Sequence, residues 1–131
     1  MTLQFEVNKP LSVVFDYLTN MQRFVEVHPV IYKIDTIAPH SYRMYETLKL
    51  LFLPISFSYP ATVSVEKERI IMQVVVYKVV RIRLQFDLKS SEKGTIIDEM
   101  IDFDTFLPVR FFMSLIFKKN HQALFERIER V

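Results

Sequence analysis

An α+β domain is the fold class this sequence predicts, and three observations predict it. The first is the order of periods: a short alternating strand, then helical spacing, then a long stretch of period two. The second is a series of consecutive strands joined by short turns, which implies an antiparallel meander. The third is an unbroken final segment from Pro108 to Val131. It holds about 24 residues, or roughly 36 Å of helix at 1.5 Å per residue.

Taken in order, Thr2 to Val7 alternates, with Leu3, Phe5 and Val7 against Thr2, Gln4 and Glu6. Pro10 suits a first helical turn, where its missing N–H is not needed. Val13, Val14, Tyr17 and Leu18 follow at helical spacing. Asn20 is placed to cap a second short helix carrying Met21, Phe24 and Val25, and Pro29 ends that helix. Val30 to Ile37 is rich in β-branched residues. Ser41 to Phe52 turns Tyr42, Met44, Leu48, Leu50 and Phe52 one way. Ile55 to Val65 does the same with Ile55, Phe57, Tyr59, Ala61, Val63 and Val65. Ile70 to Tyr77 is apolar on both faces, as a covered strand would be. Val80 to Lys89 has one wet face, and Ser90 to Gly94 holds the single glycine, reading as a hairpin turn. A last strand runs to about Phe106. In the final helix Met113, Ile116, Phe117, Asn120, Leu124, Ile128 and Val131 form one stripe.

The length of 131 residues suits one domain, residues 1–131, with one sizeable core. Apolar residues at 50% and charged residues at 24% exclude a disordered chain. Seventeen basic against fifteen acidic residues leave a charge of +2, which argues against nucleic acid as a partner. With no cysteine, thiolate metal sites, disulfides and thiol nucleophiles are excluded. His28, His40 and His121 have no ligand spacing, so no metal is expected. A single glycine makes a phosphate loop or dinucleotide fingerprint improbable, and no cofactor is expected. The amino terminus lacks the pattern of a signal peptide. The most apolar stretch, Phe106 to Phe117, is broken by Pro108 and Arg110 and is shorter than the roughly 20 residues of a spanning helix. No integral membrane segment is expected, and the cytoplasm is the default location.

Three short motifs carry a resemblance: Phe5-x-Val7-x-x-Pro10 leading into Val13-Val14-Phe15-Asp16-Tyr17-Leu18; His28-Pro29 after the second helix; and Phe106-Leu107-Pro108 followed by Leu115-Ile116-Phe117 and His121-x-x-Leu124. In this order they resemble the START-like, or SRPBCC, helix-grip superfamily, in its polyketide cyclase/dehydrase and lipid-transport branch. The resemblance spans essentially the whole chain. It implies a curved seven-stranded antiparallel sheet wrapped around a long C-terminal helix, two short helices after the first strand, and an apolar cavity between sheet and helix. The chain departs from that family in its single glycine, where relatives spend several on hairpins.

Two carboxylates interrupt inward rows: Glu46 between Met44 and Leu48, and Glu99 between Ile97 and Ile101. A carboxylate on an apolar face is paired, hydrogen-bonded or protonated. Each therefore either binds a ligand or acts as a base, or else lies at a rim or beside a cation such as Arg127. Asn120 interrupts the helical stripe, where it either orients a ligand or bonds a strand. The expected pocket comprises Tyr42, Met44, Glu46, Phe57, Tyr59, Phe86, Glu99, Phe103, Met113, Phe117 and Asn120, with no catalytic residue assigned. His28 either caps helix carbonyls or lines the entrance. His121 projects about 80° from the stripe and reads as solvated. Phe111, Leu115 and Phe125 lie away from the stripe and read as a homodimer contact or a membrane-touching edge.

Three functions compete on this sequence. One is binding or carriage of a small apolar ligand such as a lipid, isoprenoid or polyketide-like aromatic. Another is a cyclase or dehydratase using Glu46 or Glu99 with Tyr42 or Tyr59. The last is a partner-binding module acting through the outer face of the final helix. Apolar lining is abundant and acid–base groups are few, which favours the first.

Overall fold

The computed structural model describes residues 1–50 and 52–131. Strand β1 (Thr2–Val7) is followed by helices α1 (Leu11–Thr19) and α2 (Met21–Val27). Six strands follow: β2 (Ile31–Ala38), β3 (Ser41–Leu50), β4 (Leu53–Glu66), β5 (Arg69–Val76), β6 (Val80–Ser91) and β7 (Gly94–Asp104). Helix α3 (Arg110–Glu129) completes the chain. The strands form one seven-stranded sheet in the order β1-β7-β6-β5-β4-β3-β2, with antiparallel pairing throughout. The first strand thus pairs with the last, and α1 and α2 link the two edge strands.

Local chemistry accounts for the element ends. Asn20 caps α2 by accepting the N–H groups of Gln22 and Arg23 at 3.1 and 3.4 Å. Pro10 stands one residue before α1, and Pro108 stands two before α3. Leu51, within the segment read as a strand to Phe52, lies outside the described residues. Phe52 itself is not inward: Leu50 pairs with Leu53, so the chain reverses between them. Phe52 sits at that reversal with φ 72° and is 99% exposed. The hairpin expected at Ser90–Gly94 is present, with Ser91 paired to Gly94 around Glu92-Lys93, and Gly94 opens β7 at φ 147°. A Cβ there would collide with the Val7 carbonyl oxygen and stand 2.7 Å from the Lys9 N–H nitrogen, so the glycine permits close approach of the β1–α1 connection.

Helix α3 meets the sheet along a wider face than the single stripe. Leu124 and Ile128 are fully buried, but so are His121 and Phe125, which the spacing placed toward solvent. A helix gripped by a sheet on more than one side buries more than a 100° arc. The Phe125 ring packs 4.7 Å from Phe5 and 6.1 Å from Phe86, so it belongs to the core and not to a dimer surface. Phe111 and Leu115 are exposed as expected, and Val131 lies beyond the helix. The remaining core comes from Val14 and Leu18 of α1, from Met21, Phe24 and Val27 of α2, from Val7 of β1, Ile31 of β2 and Met44 of β3, and from the inward rows of β4 to β7.

Candidate functional site

The two halves of α3 differ in how they meet the sheet. In the C-terminal half, Leu124, Phe125 and Ile128 are sealed. In the N-terminal half, Met113, Ile116, Phe117 and Asn120 are only partly buried, because they stand over a cavity of about 420 Å³. The cause lies in side-chain reach. Opposite the sealed half, the rings of Phe5, Phe86 and Phe125 fill the gap. Opposite the other half, the sheet offers mostly medium aliphatic groups such as Leu48, Ile55, Val74, Val76 and Ile82, which leave space unfilled. A volume of this size falls within the roughly 300–1,000 Å³ of small-molecule sites. The cavity meets solvent where its lining is exposed, at Ile55, Tyr77 and Phe112. A larger trough of about 640 Å³ beside α1 is shallow and mixed in polarity, and it has no enclosed apolar lining.

Polar groups are few on the cavity wall. Tyr59 on β4 donates its hydroxyl to Glu46 Oε1 on β3 at 2.7 Å. The two residues sit on one face at a diagonal, since Tyr59 faces Met44 and Glu46 faces Phe57 across the ladder. Burial raises the Glu46 pKa above the ordinary carboxylate value, while the Tyr59 hydrogen bond and nearby His121 act against it. Burial also pushes the Tyr59 phenol well above its usual value, and the adjacent carboxylate adds to the effect.

His28 closes α2 and turns into the cavity. Its Nδ1 accepts the backbone N–H groups of Val30 and Ile31 at 3.2 and 3.0 Å, so it caps donors and not carbonyls. That leaves the proton on Nε2, a fixed donor. Burial, with His121 and Arg127 nearby, holds its pKa well below the ordinary histidine value. Arg127 itself bonds the His28 carbonyl at 3.3 Å and does not line the cavity.

His121 is the second correction of chemical weight. Its Nδ1 stands 2.5 Å from Glu99 Oε2, with side chains only 4% and 0% exposed. Neither Glu99 oxygen meets a well-aligned hydrogen-bond donor among the described residues, which makes His121 its close polar contact. The imidazole is held between the Phe117 and Phe86 rings at 5.3 and 5.9 Å. Nδ1 faces Glu99 without a well-aligned hydrogen bond, and Nε2 is the ring nitrogen left for a cavity occupant.

Eight of the residues expected in the pocket line this cavity: Met44, Glu46, Phe57, Tyr59, Phe86, Met113, Phe117 and Asn120. Three do not. Glu99 lies behind His121, Phe103 packs 5.6 Å behind Phe117, and Tyr42 packs against the core farther along β3. Of the two cavity histidines, His28 had lining of the entrance as one of its two expected roles, whereas His121 was read as solvated and was missed. The usable signal for His121 is its position four residues after Phe117 and three before Leu124, which puts it on a core-facing helical arc. Among the described residues no group of three His, Asp or Glu side chains is placed to hold a metal ion. No described helix is long and apolar enough to cross a membrane.

No protein-family model matches the sequence, and no curated protein matches it. Solved structures do match the fold. A START superfamily protein from Mycobacterium smegmatis superposes at TM-score 0.81 and 14% identity, over 99% of this chain and 97% of that one. Ara h 8.0201 superposes at TM-score 0.75 and 13% identity, over 98% of this chain and 93% of that one. The di-domain ARO/CYC StfQ from the steffimycin biosynthetic pathway superposes at TM-score 0.75 and 8% identity, over 99% of this chain but 49% of that one. With one antiparallel sheet holding a long C-terminal helix, and two short helices after the first strand, the chain has the START/SRPBCC-like helix-grip fold.

Proposed function

We propose that residues 1–131 act as one ligand-binding domain that binds or carries a small apolar molecule between sheet and α3. A lipid, an isoprenoid and a polyketide-like aromatic all fit the chemistry of the wall. The observation that carries this reading is the mainly aliphatic and aromatic cavity of about 420 Å³, open to solvent at one end. Its few polar groups sit on α2, β3, β4 and α3, the arrangement that orients a ligand inside an apolar site. The Glu46–Tyr59 pair and the His28 Nε2–H favour a ligand with a hydroxyl or carbonyl group. The fold likeness supports a site between sheet and helix.

The test is displacement of a fluorescent apolar probe from the wild type and from Ile116→Trp, which fills the cavity from the helix side. Binding by the wild type, weakened about tenfold or more in the variant, is expected. No binding by the wild type at high micromolar probe overturns the carrier reading. Glu46→Gln keeps an acceptor for Tyr59, so its stability should hold. If the ligand bonds this carboxylate, the change weakens binding by about 1–3 kcal/mol.

A second reading is a cyclase- or dehydratase-type reaction. Glu99 behind His121 has the form of an orienting carboxylate behind a base. Chromatography coupled to mass spectrometry separates the two readings. A carrier returns its ligand unchanged after incubation, a dehydratase returns a product lighter by one water, and a cyclase returns an isomer of the same mass at a different retention time.

A further inference from the structure

The antiparallel meander sends alternate turns to the same end of the sheet, and one end is unlike the other. At the end where the cavity meets solvent stand the β3–β4 reversal, the β5–β6 turn and the β7–α3 connection. Their tips are apolar and exposed: Phe52 at 99%, Phe106 at 81%, Phe111 at 80% and Tyr77 at 69%. Segments 48–55, 76–80 and 105–117 contain Lys49, Lys78 and Arg110, all exposed, and no acidic residue. Asp104, at the top of β7, faces Arg81 across the β6–β7 ladder.

We propose that this end docks on an anionic lipid surface, with Phe52, Phe106 and Phe111 entering the headgroup region and Lys49, Lys78 and Arg110 meeting lipid phosphates. Charge decides between a bilayer and a second copy of the chain. A two-fold contact through these tips would set three uncompensated cations against their own copies, which is repulsive. An anionic leaflet supplies the missing negative charge. Exposed aromatic rings flanked by cations are the composition that sits at a membrane–water interface. Docking of this kind presents the cavity mouth to the bilayer, and it stands independently of which molecule the cavity takes.

The experiment is co-sedimentation of the full chain with vesicles of phosphatidylcholine, with and without about a third phosphatidylserine. The expected result is binding to the anionic vesicles, weakened at high salt as the Debye length shrinks from about 8 Å toward 3 Å. A Phe52→Ser/Phe106→Ser/Phe111→Ser variant should lose at least about tenfold in vesicle affinity. None of these three rings lines the cavity, so binding of the fluorescent apolar probe should be unchanged. A Lys49→Glu/Lys78→Glu/Arg110→Glu variant, which keeps the rings, should lose binding to the anionic vesicles specifically. A wild type that stays in the supernatant at every lipid concentration overturns the proposal. So does a dimer in sedimentation that the Phe→Ser changes dissolve, because a second copy then covers this end.

Discussion

At one end of the sheet the turns carry His40, Lys67-Glu68 and Glu92-Lys93; at the other they carry Phe52, Tyr77-Lys78 and Phe106-Leu107. The first end is also the one where α3 is sealed. The Asn8 N–H donates to Glu129 Oε2 at 2.8 Å, Lys9 bonds the Val131 carbonyl, and the Phe5, Phe86 and Phe125 rings fill the interior. At the second end α3 stands off the sheet and the cavity occupies the difference. One helix thus serves two purposes along its length. Its C-terminal half supplies stability, and its N-terminal half holds open a space whose walls contribute little to it.

Changes at the sealed end should therefore cost far more than similar changes at the open end. The largest effect is expected for Gly94→Ala. Its Cβ would collide with backbone atoms of Val7 and Lys9 at a φ of 147°, costing about 3–5 kcal/mol in denaturant unfolding. A loss under about 1 kcal/mol would show that the β1–α1 connection moves freely. Next comes the pair Leu124→Ala and Met113→Ala. Leu124 is fully enclosed and should lose about 2–5 kcal/mol. Met113 already borders empty space, so its truncation should cost less than about 1 kcal/mol. Equal losses would mean that the cavity is collapsed in solution.

At the cavity wall the expected effect depends on pH. The folded pKa of His28 is lowered, so the unfolded chain takes up a proton first, near pH 6.5. Below that pH the unfolded state binds more protons, and stability falls as pH drops toward the folded pKa. Above pH 6.5 this contribution is constant. His28→Asn offers an acceptor to Val30 and Ile31 without titrating, and should flatten this acidic slope in thermal unfolding. An unchanged slope would assign the acid sensitivity to other groups. The smallest effect is expected at the mouth itself. Tyr77 and Lys78 both adopt positive φ, at 52° and 61°. Lys78→Gly should relieve local strain and raise stability by about 0.5–1 kcal/mol, visible as a small upward shift in Tm.

Much of the fold was legible in the sequence because it rests on local rules. The alternation in Thr2–Val7, the Asn20 cap, the proline stops and the period-two runs each depend on residues a few positions apart. The site was legible in part for the same reason. The rows that carry Met44, Glu46, Phe57 and Tyr59 point inward once the register is known, and alternation sets that register. Phe52 escaped because alternation says nothing about where a strand reverses.

By itself, then, the sequence determined the α+β class, the order of elements, the inward faces of the strands and the absence of thiol chemistry. Only the tertiary structure decided how wide an arc of α3 is gripped. That arc turned Phe125 from a surface residue into core and brought His121 against Glu99, 22 positions earlier in the chain. It also decided where His28 puts its proton, because Nδ1 finds the Val30 and Ile31 N–H groups only in the folded turn. The cavity too is a tertiary outcome. It arises where the reach of facing side chains falls short between two surfaces distant in sequence, and no local period encodes that mismatch.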